Sequence, residues 1–161
     1  MKRNIAPTKL VIITVVTLCL GLVPAAQAAE HCSSAKTAGN WGFILTGTLF
    51  APSGPVPGAA VGTLAIDPSG SFTGTEARNV GGGFVGDETI TGSLTVNSNC
   101  TGTVNASIYE SGVLVRTVVL AIVFTDDSNK FIMVQASLTL PDGTNVPVVV
   151  TLEGNRLEHS H

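Results

Sequence analysis

The sequence predicts an all-β protein, an eight-stranded antiparallel up-and-down β-barrel preceded by a cleaved signal peptide. Three observations carry that expectation. After residue 28, strand-like stretches recur at 41–50, 59–67, 71–80, 84–96, 101–109, 113–125, 130–140 and 146–153. The separators between them, APSGPVPG, DPSG, GGG, NSNC, ESG, DDSN and PDGTN, are built from turn-forming residues, and all but the first are short enough for hairpins. No helical pattern is left to cover a sheet face, so the strands are expected to close on themselves and remove their edges.

Taken in order, residues 1–28 read as an export signal. Lys2, Arg3 and Lys9 give a basic start, Leu10 to Val23 form a 14-residue apolar stretch, and Ala26-Gln27-Ala28 supplies a small-x-small cleavage site. That stretch falls short of the roughly 20 apolar residues that span a bilayer. Cleavage near Ala28 leaves a barrel domain over 29–156 and a flexible tail over 157–161, in a secreted or periplasmic protein. Removing Lys2, Arg3 and Lys9 leaves five basic side chains against eleven acidic ones. This balance argues against nucleic acid and against an anionic membrane surface, both of which need clustered Lys and Arg.

Alternation sets the faces of strands four and five. Ile90, Gly92, Leu94 and Val96 share one face of the fourth while Thr89, Thr91, Ser93 and Thr95 share the other. The fifth repeats this, with Val104, Ala106 and Ile108 against Thr103, Asn105 and Ser107. Strands six and eight are apolar on both faces, VLVRTVVLAIVF at 113–124 and VPVVVTL at 146–152. An apolar outer face calls for a cover, and the expectation is a second copy, giving a homo-oligomer through strands six to eight. Insertion into a membrane as a barrel fits less well, because Thr and Ser rows face outward on strands four and five and no aromatic girdles are present.

The only tryptophan, Trp41, stands at the start of strand one, in GNWGFILTGTLF. In a meander, the connections after strands two, four, six and eight fall at that same end. Cys32, which precedes strand one, and Cys100, which follows strand four, are thereby neighbours, and a disulfide between them is the expected state in an oxidising compartment. Two buried thiols are the alternative. Arg156, after strand eight, also arrives there, where its guanidinium can lie over the indole. Trp41 is thus read as a plug and core residue.

At these positions the chain resembles the calycins, the lipocalin, fatty-acid-binding and avidin-type barrels. Gly39, Trp41 and Arg156 match their G-x-W at strand one and the Arg near the chain's end. Thr125-Asp126 followed by Phe131 is similar to the lipocalin T-D-Y turn, with Asp127 in place of Tyr, and Gly70 to Thr75 (GSFTGT) is similar to avidin's third strand. The resemblance implies a ligand cup with one closed end. It does not extend to biotin binding, since avidins line their pocket with several tryptophans, nor to the lipocalin C-terminal helix, which is missing. The chain also looks similar to short exported bacterial barrel proteins with a C-S-x-A…G-x-x-G-F pattern.

The open end gathers charge. If Phe72 faces inward, so do Gly74, Glu76 and Arg78, and the glycine turn at 81–83 sets Glu76 opposite Glu88 and Arg78 opposite Gly86. Arg116 shares parity with Leu114, Val118 and Leu120 at the same end. Glu76, Arg78, Glu88 and Arg116 are therefore the candidate head-group site, with Leu45, Leu64, Leu94, Val104, Ile108, Val118 and Leu120 as apolar lining. The competing reading is a solvated rim. No catalytic residue, cofactor or metal site is assigned: His31 and the His159-Ser160-His161 tail do not make a site, Gly81-Gly82-Gly83 is a turn, and no histidine lies in the strand region to build a Ser-His-Asp set. The expected function is capture of a small, partly apolar molecule. The alternatives are a cyclase or isomerase on an allene-oxide-cyclase-like barrel and a self-assembling surface or matrix protein with a filled interior.

Overall fold

The computed structural model describes residues 32–157; the expected signal peptide, His31 and the histidine tail lie outside them. A single-turn helix, α1 (Ser34–Thr37), leads into β1 (Gly39–Ala51), β2 (Gly54–Ile66), β3 (Ser71–Val80), β4 (Gly83–Val96), β5 (Thr101–Glu110), β6 (Val113–Thr125), β7 (Lys130–Thr139) and β8 (Val148–Arg156). Each strand pairs antiparallel with the next, and β8 returns to β1, so the sheet is a closed barrel. The predicted fold class is the observed one. Among the described residues no helix is long and apolar enough to cross a membrane.

The predicted faces also hold. Ile90, Leu94, Val104, Ala106 and Ile108 are buried inside, and Thr89, Thr91, Ser93, Thr95, Thr103 and Asn105 are exposed outside. Inside, large side chains stand opposite glycines on the neighbouring strand: Phe43 opposite Gly62, Phe72 opposite Gly92, and Phe131 opposite Gly154. A Cβ on Gly154 would come within 2.1 Å of the Phe131 ring, and one on Gly62 within 2.5 Å of Phe43. So small a barrel accommodates its aromatic rings only by leaving the facing positions empty.

Two boundaries differ from expectation. The stretch APSGPVPG is not a long connection; the turn is confined to Pro52 and Ser53, and Gly54, Pro55, Val56 and Pro57 already pair with Ala51, Phe50, Leu49 and Thr48. Prolines are tolerated because β3 ends at Val80 opposite Gly58, so the side of β2 where their missing N–H groups would point carries no strand there. At the other terminus β8 starts at Val148 and runs on to Arg156, which is the strand's last residue and pairs directly with Trp41.

The closed end is built around that pair. Trp41 is fully buried against Phe124 and Phe131, with ring centroids 5.8 and 5.3 Å away. The Arg156 guanidinium carbon lies 4.8 Å from the indole centroid. Helix α1, which sequence reasoning missed, supplies the acceptors: Ser33 caps it by accepting from Lys36 N at 3.2 Å, and the Thr37 carbonyl accepts from Trp41 Nε1 at 3.0 Å. Gly39 has φ of +136°, and a Cβ there would sit 2.6 Å from Arg156 Nη1, which is why a glycine stands two residues before the tryptophan.

Cys32 and Cys100 form the expected disulfide, across 68 residues of sequence. It ties the segment carrying α1 to the β4–β5 turn beneath the barrel. Closing a loop of that length stabilises by roughly 4 kcal/mol in the chain-entropy view. The Cys32→Ser, Cys100→Ser double variant is expected to fold and to lose about 3 kcal/mol in urea unfolding under non-reducing conditions; a loss below about 1 kcal/mol would mean that the closed end holds itself.

Candidate functional site

Above the aromatic floor the barrel encloses a cavity of about 270 Å³. Phe43, Leu45, Leu64, Phe72, Ile90, Val104, Ile108, Val118, Leu120, Met133, Val150 and Leu152 line it, so most of the wall is apolar. It opens at the end opposite Trp41, where the β1–β2, β3–β4, β5–β6 and β7–β8 connections meet. Exposed apolar side chains, Phe50, Phe84, Val113 and Leu140, occupy that end. Phe84 is the barest, 71% exposed.

Glu76, Arg78 and Arg116 line the cavity near its mouth, and Glu88 is bonded to both arginines. Arg116 reaches across from β6: its Nη1 donates to Glu88 Oε1 at 2.8 Å, and its Nη2 donates to Glu88 Oε2 at 3.1 Å and to Glu76 Oε1. Arg78 Nε donates to Glu88 Oε2 at 2.7 Å. Glu76 and Glu88 are directly paired across β3 and β4, as the glycine-turn register predicts.

Two details of the predicted register are corrected by the structure. Arg78 pairs with Val85, not Gly86, because the turn is confined to Gly81 and Gly82 and Gly83 already pairs with Val80; the extra residue that β4 carries at Gly86–Asp87, where Asp87 adopts φ of +58°, then restores the pairing of Glu76 with Glu88. Arg116 does not share a face with Leu114, because β6 bulges at Val115: Ile108 pairs with Arg116 and Tyr109 with Leu114. Val115 lines the cavity and Leu114 does not. Of the predicted lining residues, Leu94 lies outside the cavity; it is buried in the core, with its carbonyl against Gly70. Ile108 and Leu120 are in the lining.

Gln135 was not foreseen. It lines the cavity from β7, buried, with its Nε2 donating to the Ser137 carbonyl at 3.1 Å. The signal was present in KFIMVQASLT, where Phe131, Met133 and Gln135 alternate as one face. A third bulge follows it: Leu120 pairs with Gln135 and Val119 with Ser137, which leaves Ala136 unmatched and brings Leu138 inward.

Electrostatically the two carboxylates diverge. Burial pushes the Glu76 carboxyl above its ordinary value; Arg116 opposes the rise and the neighbouring Glu88 charge adds to it. Burial raises Glu88 as well, but the hydrogen bonds and charges of Arg116 and Arg78 outweigh it and hold that carboxyl below the usual range. Like carboxylates held together separate their titrations in this way. Glu76 therefore contributes stability that is complete below the ordinary Glu value of 4.5 and is lost as pH rises through its raised value. Glu88 contributes stability present above 4.5 and lost as pH falls through its lowered value.

The pair of glutamine variants tests this. In urea unfolding near neutral pH, Glu88→Gln is expected to cost about 3 kcal/mol, because it leaves two guanidinium groups without their shared anion. Glu76→Gln is expected to stay within about 1 kcal/mol of the parent, with a smaller loss of stability than the parent shows as pH rises above 4.5. Equal costs for the two would refute the division of roles.

No family model and no curated relative matches the chain. Among solved structures, EF1p2_mFAP2b bound to DFHBI aligns with 78% of this chain and 100% of its own, at 13% identity and a TM-score of 0.52. The redesigned β-barrel mFAP1 bound to DFHBI aligns with 77% of this chain and 98% of its own, at 16% identity and a TM-score of 0.48. The S-type phycobiliprotein lyase CPES from Guillardia theta aligns with 85% of this chain and 100% of its own, at 9% identity and a TM-score of 0.46. At such identities the likeness is one of fold: a small barrel closed over eight antiparallel strands.

Proposed function

We propose that the protein is a secreted or periplasmic carrier that binds a small, partly apolar molecule inside its barrel. The observation that carries this reading is the cavity of about 270 Å³, apolar over most of its wall and charged on one side. Ligand pockets typically run from about 300 to 1,000 Å³, so this one suits a small guest. An eight-stranded barrel is just wide enough for its own side chains to fill it. The space left here therefore favours capture over the self-assembling matrix protein with a filled interior. A barrel of the same fold bound to DFHBI accords with it. The disulfide is compatible with the exported location that residues 1–28 suggest.

The cyclase or isomerase reading rests on Glu76, the cavity carboxyl that burial predisposes to hold a proton. It is the weaker one, because Arg116 donates directly to that carboxylate. Self-association is the second part of the proposal. Val123 on β6, Ile132 and Val134 on β7 and Val149 on β8 are each about half exposed or more, on the faces predicted to meet another copy.

Val118→Trp fills the cavity from one wall. It is expected to weaken binding of the neutral probe N-phenyl-1-naphthylamine at least tenfold, read by fluorescence, while the near-native melting temperature is kept. Unchanged binding would place the probe elsewhere and remove the cavity from the proposal. For assembly, light scattering is expected to give a multiple of the chain mass that Val134→Lys reduces to one. A parent protein that is monomeric at every concentration would sink the oligomer.

A further inference from the structure

We propose that the molecule held in the cavity carries an anionic head group, of the carboxylate class, which docks on the outer edge of the Arg78 guanidinium. This rests on the carrier reading above and specifies which guest the carrier takes. Donor accounting leads to it. Arg116 is turned onto both carboxylates, with its two Nη nitrogens on Glu88 and Glu76. Arg78 offers only Nε to the cluster, at 2.7 Å from Glu88 Oε2. Its two Nη nitrogens make no hydrogen bond among the described residues, and its side chain, 24% exposed, lines the cavity near the mouth. A planar fork of N–H groups without an acceptor is the geometry that receives a carboxylate.

Charge accounting points the same way. Glu88 is shared by two guanidinium groups, and Glu76 is paired with Arg116 alone. Both carboxylates are thus engaged by Arg116, and the Nη edge of Arg78 is the cationic edge of the cluster that faces no carboxylate. The remaining walls carry no charge: Leu45, Leu138 and Val150 are apolar, and Gln135 gives one amide N–H to the Ser137 carbonyl of its own strand. An anionic head at Arg78 then leaves an apolar body to run down toward Phe43 and Leu152.

Three probes of one shape separate the outcomes: 4-butylbenzoate, (4-butylphenyl)methanol and 4-butylbenzylammonium, each titrated calorimetrically into the full exported chain near neutral pH. The expected result is that the carboxylate binds at least tenfold more tightly than the alcohol and the ammonium compound binds most weakly. Arg78→Gln is expected to bring the carboxylate to the level of the alcohol without moving the alcohol; Arg78→Lys, which keeps the charge and loses the fork, falls between. Should neither variant fold, the order of the three probes on the parent protein decides alone. An alcohol that binds as well as the carboxylate overturns the anionic head group and leaves the carrier intact. Preference for the ammonium compound overturns it with the opposite sign. Failure of all three to bind overturns the carrier reading, and this inference with it.

Discussion

One guanidinium holds the closed end together. Arg156 stacks on Trp41, pairs with it across the β1–β8 seam, and spends its N–H groups on four acceptors from two places: Asn129 Oδ1 at 3.2 Å and the Ser128 carbonyl at 3.1 Å, and the Lys36 carbonyl at 2.8 Å and the Ala38 carbonyl. It therefore joins the last strand, the β6–β7 turn and the segment before β1. A cation placed over an indole and also hydrogen-bonded on its edges is partly withdrawn from water, where both attractions are stronger than on an open surface. The β1–β8 seam is the only one in the barrel made by chain segments far apart in sequence. An interaction that fixes it fixes closure itself.

Closure at one end decides what the other end can be. Trp41, Phe124 and Phe131 fill the lower barrel, and glycines opposite the large rings give them room. Higher up the same width is lined by smaller residues such as Ala60, Ala106 and Val118, and space remains. The cavity thus follows from an uneven distribution of side-chain volume along an otherwise regular cylinder. The stopper and the cup are one packing arrangement read from two ends.

The strands and their order were legible because each strand is bounded by strong turn residues and because alternation in β4 and β5 is nearly unbroken. Placement of Cys32, Cys100, Trp41 and Arg156 at one end followed from counting connections. What the sequence did not disclose is local. The one-turn helix at Ser34–Thr37 is too short to show a periodicity, and its formation depends on the Ser33 cap and on the acceptors it offers to Trp41 and Arg156. The bulges at Gly86–Asp87, Val115 and Ala136 are single-residue events with no marker beyond a glycine in one case. All three lie in the open half, and each changes which neighbour faces the cavity. The register of Glu76 with Glu88 survived because the residue that the β4 bulge adds at Gly86–Asp87 makes up for the one lost from the turn, where Gly83 already pairs with Val80.

The charged wall is harder to justify as a stabilising device. Glu88 is wholly inaccessible, Glu76 nearly so, and Arg116 has only 15% of its side chain exposed. Removing such groups from water costs several kcal/mol per ion, and well-packed apolar residues of similar volume are often as stabilising or more so. The neighbouring strands show that this barrel accepts Ile108, Val118 and Leu120 at adjacent inward positions, so an apolar wall is within its means. The bulges matter to the same question, since those at Gly86–Asp87 and Val115 flank the charged residues and set their aim. A cluster that is costly to bury, flanked by irregularities that set its direction, and left with the Nη edge of Arg78 unspent has the properties of a site whose energetic return comes on binding. Stability then rests with the stopper and the disulfide, which frees the mouth to keep charges that the fold alone would not require.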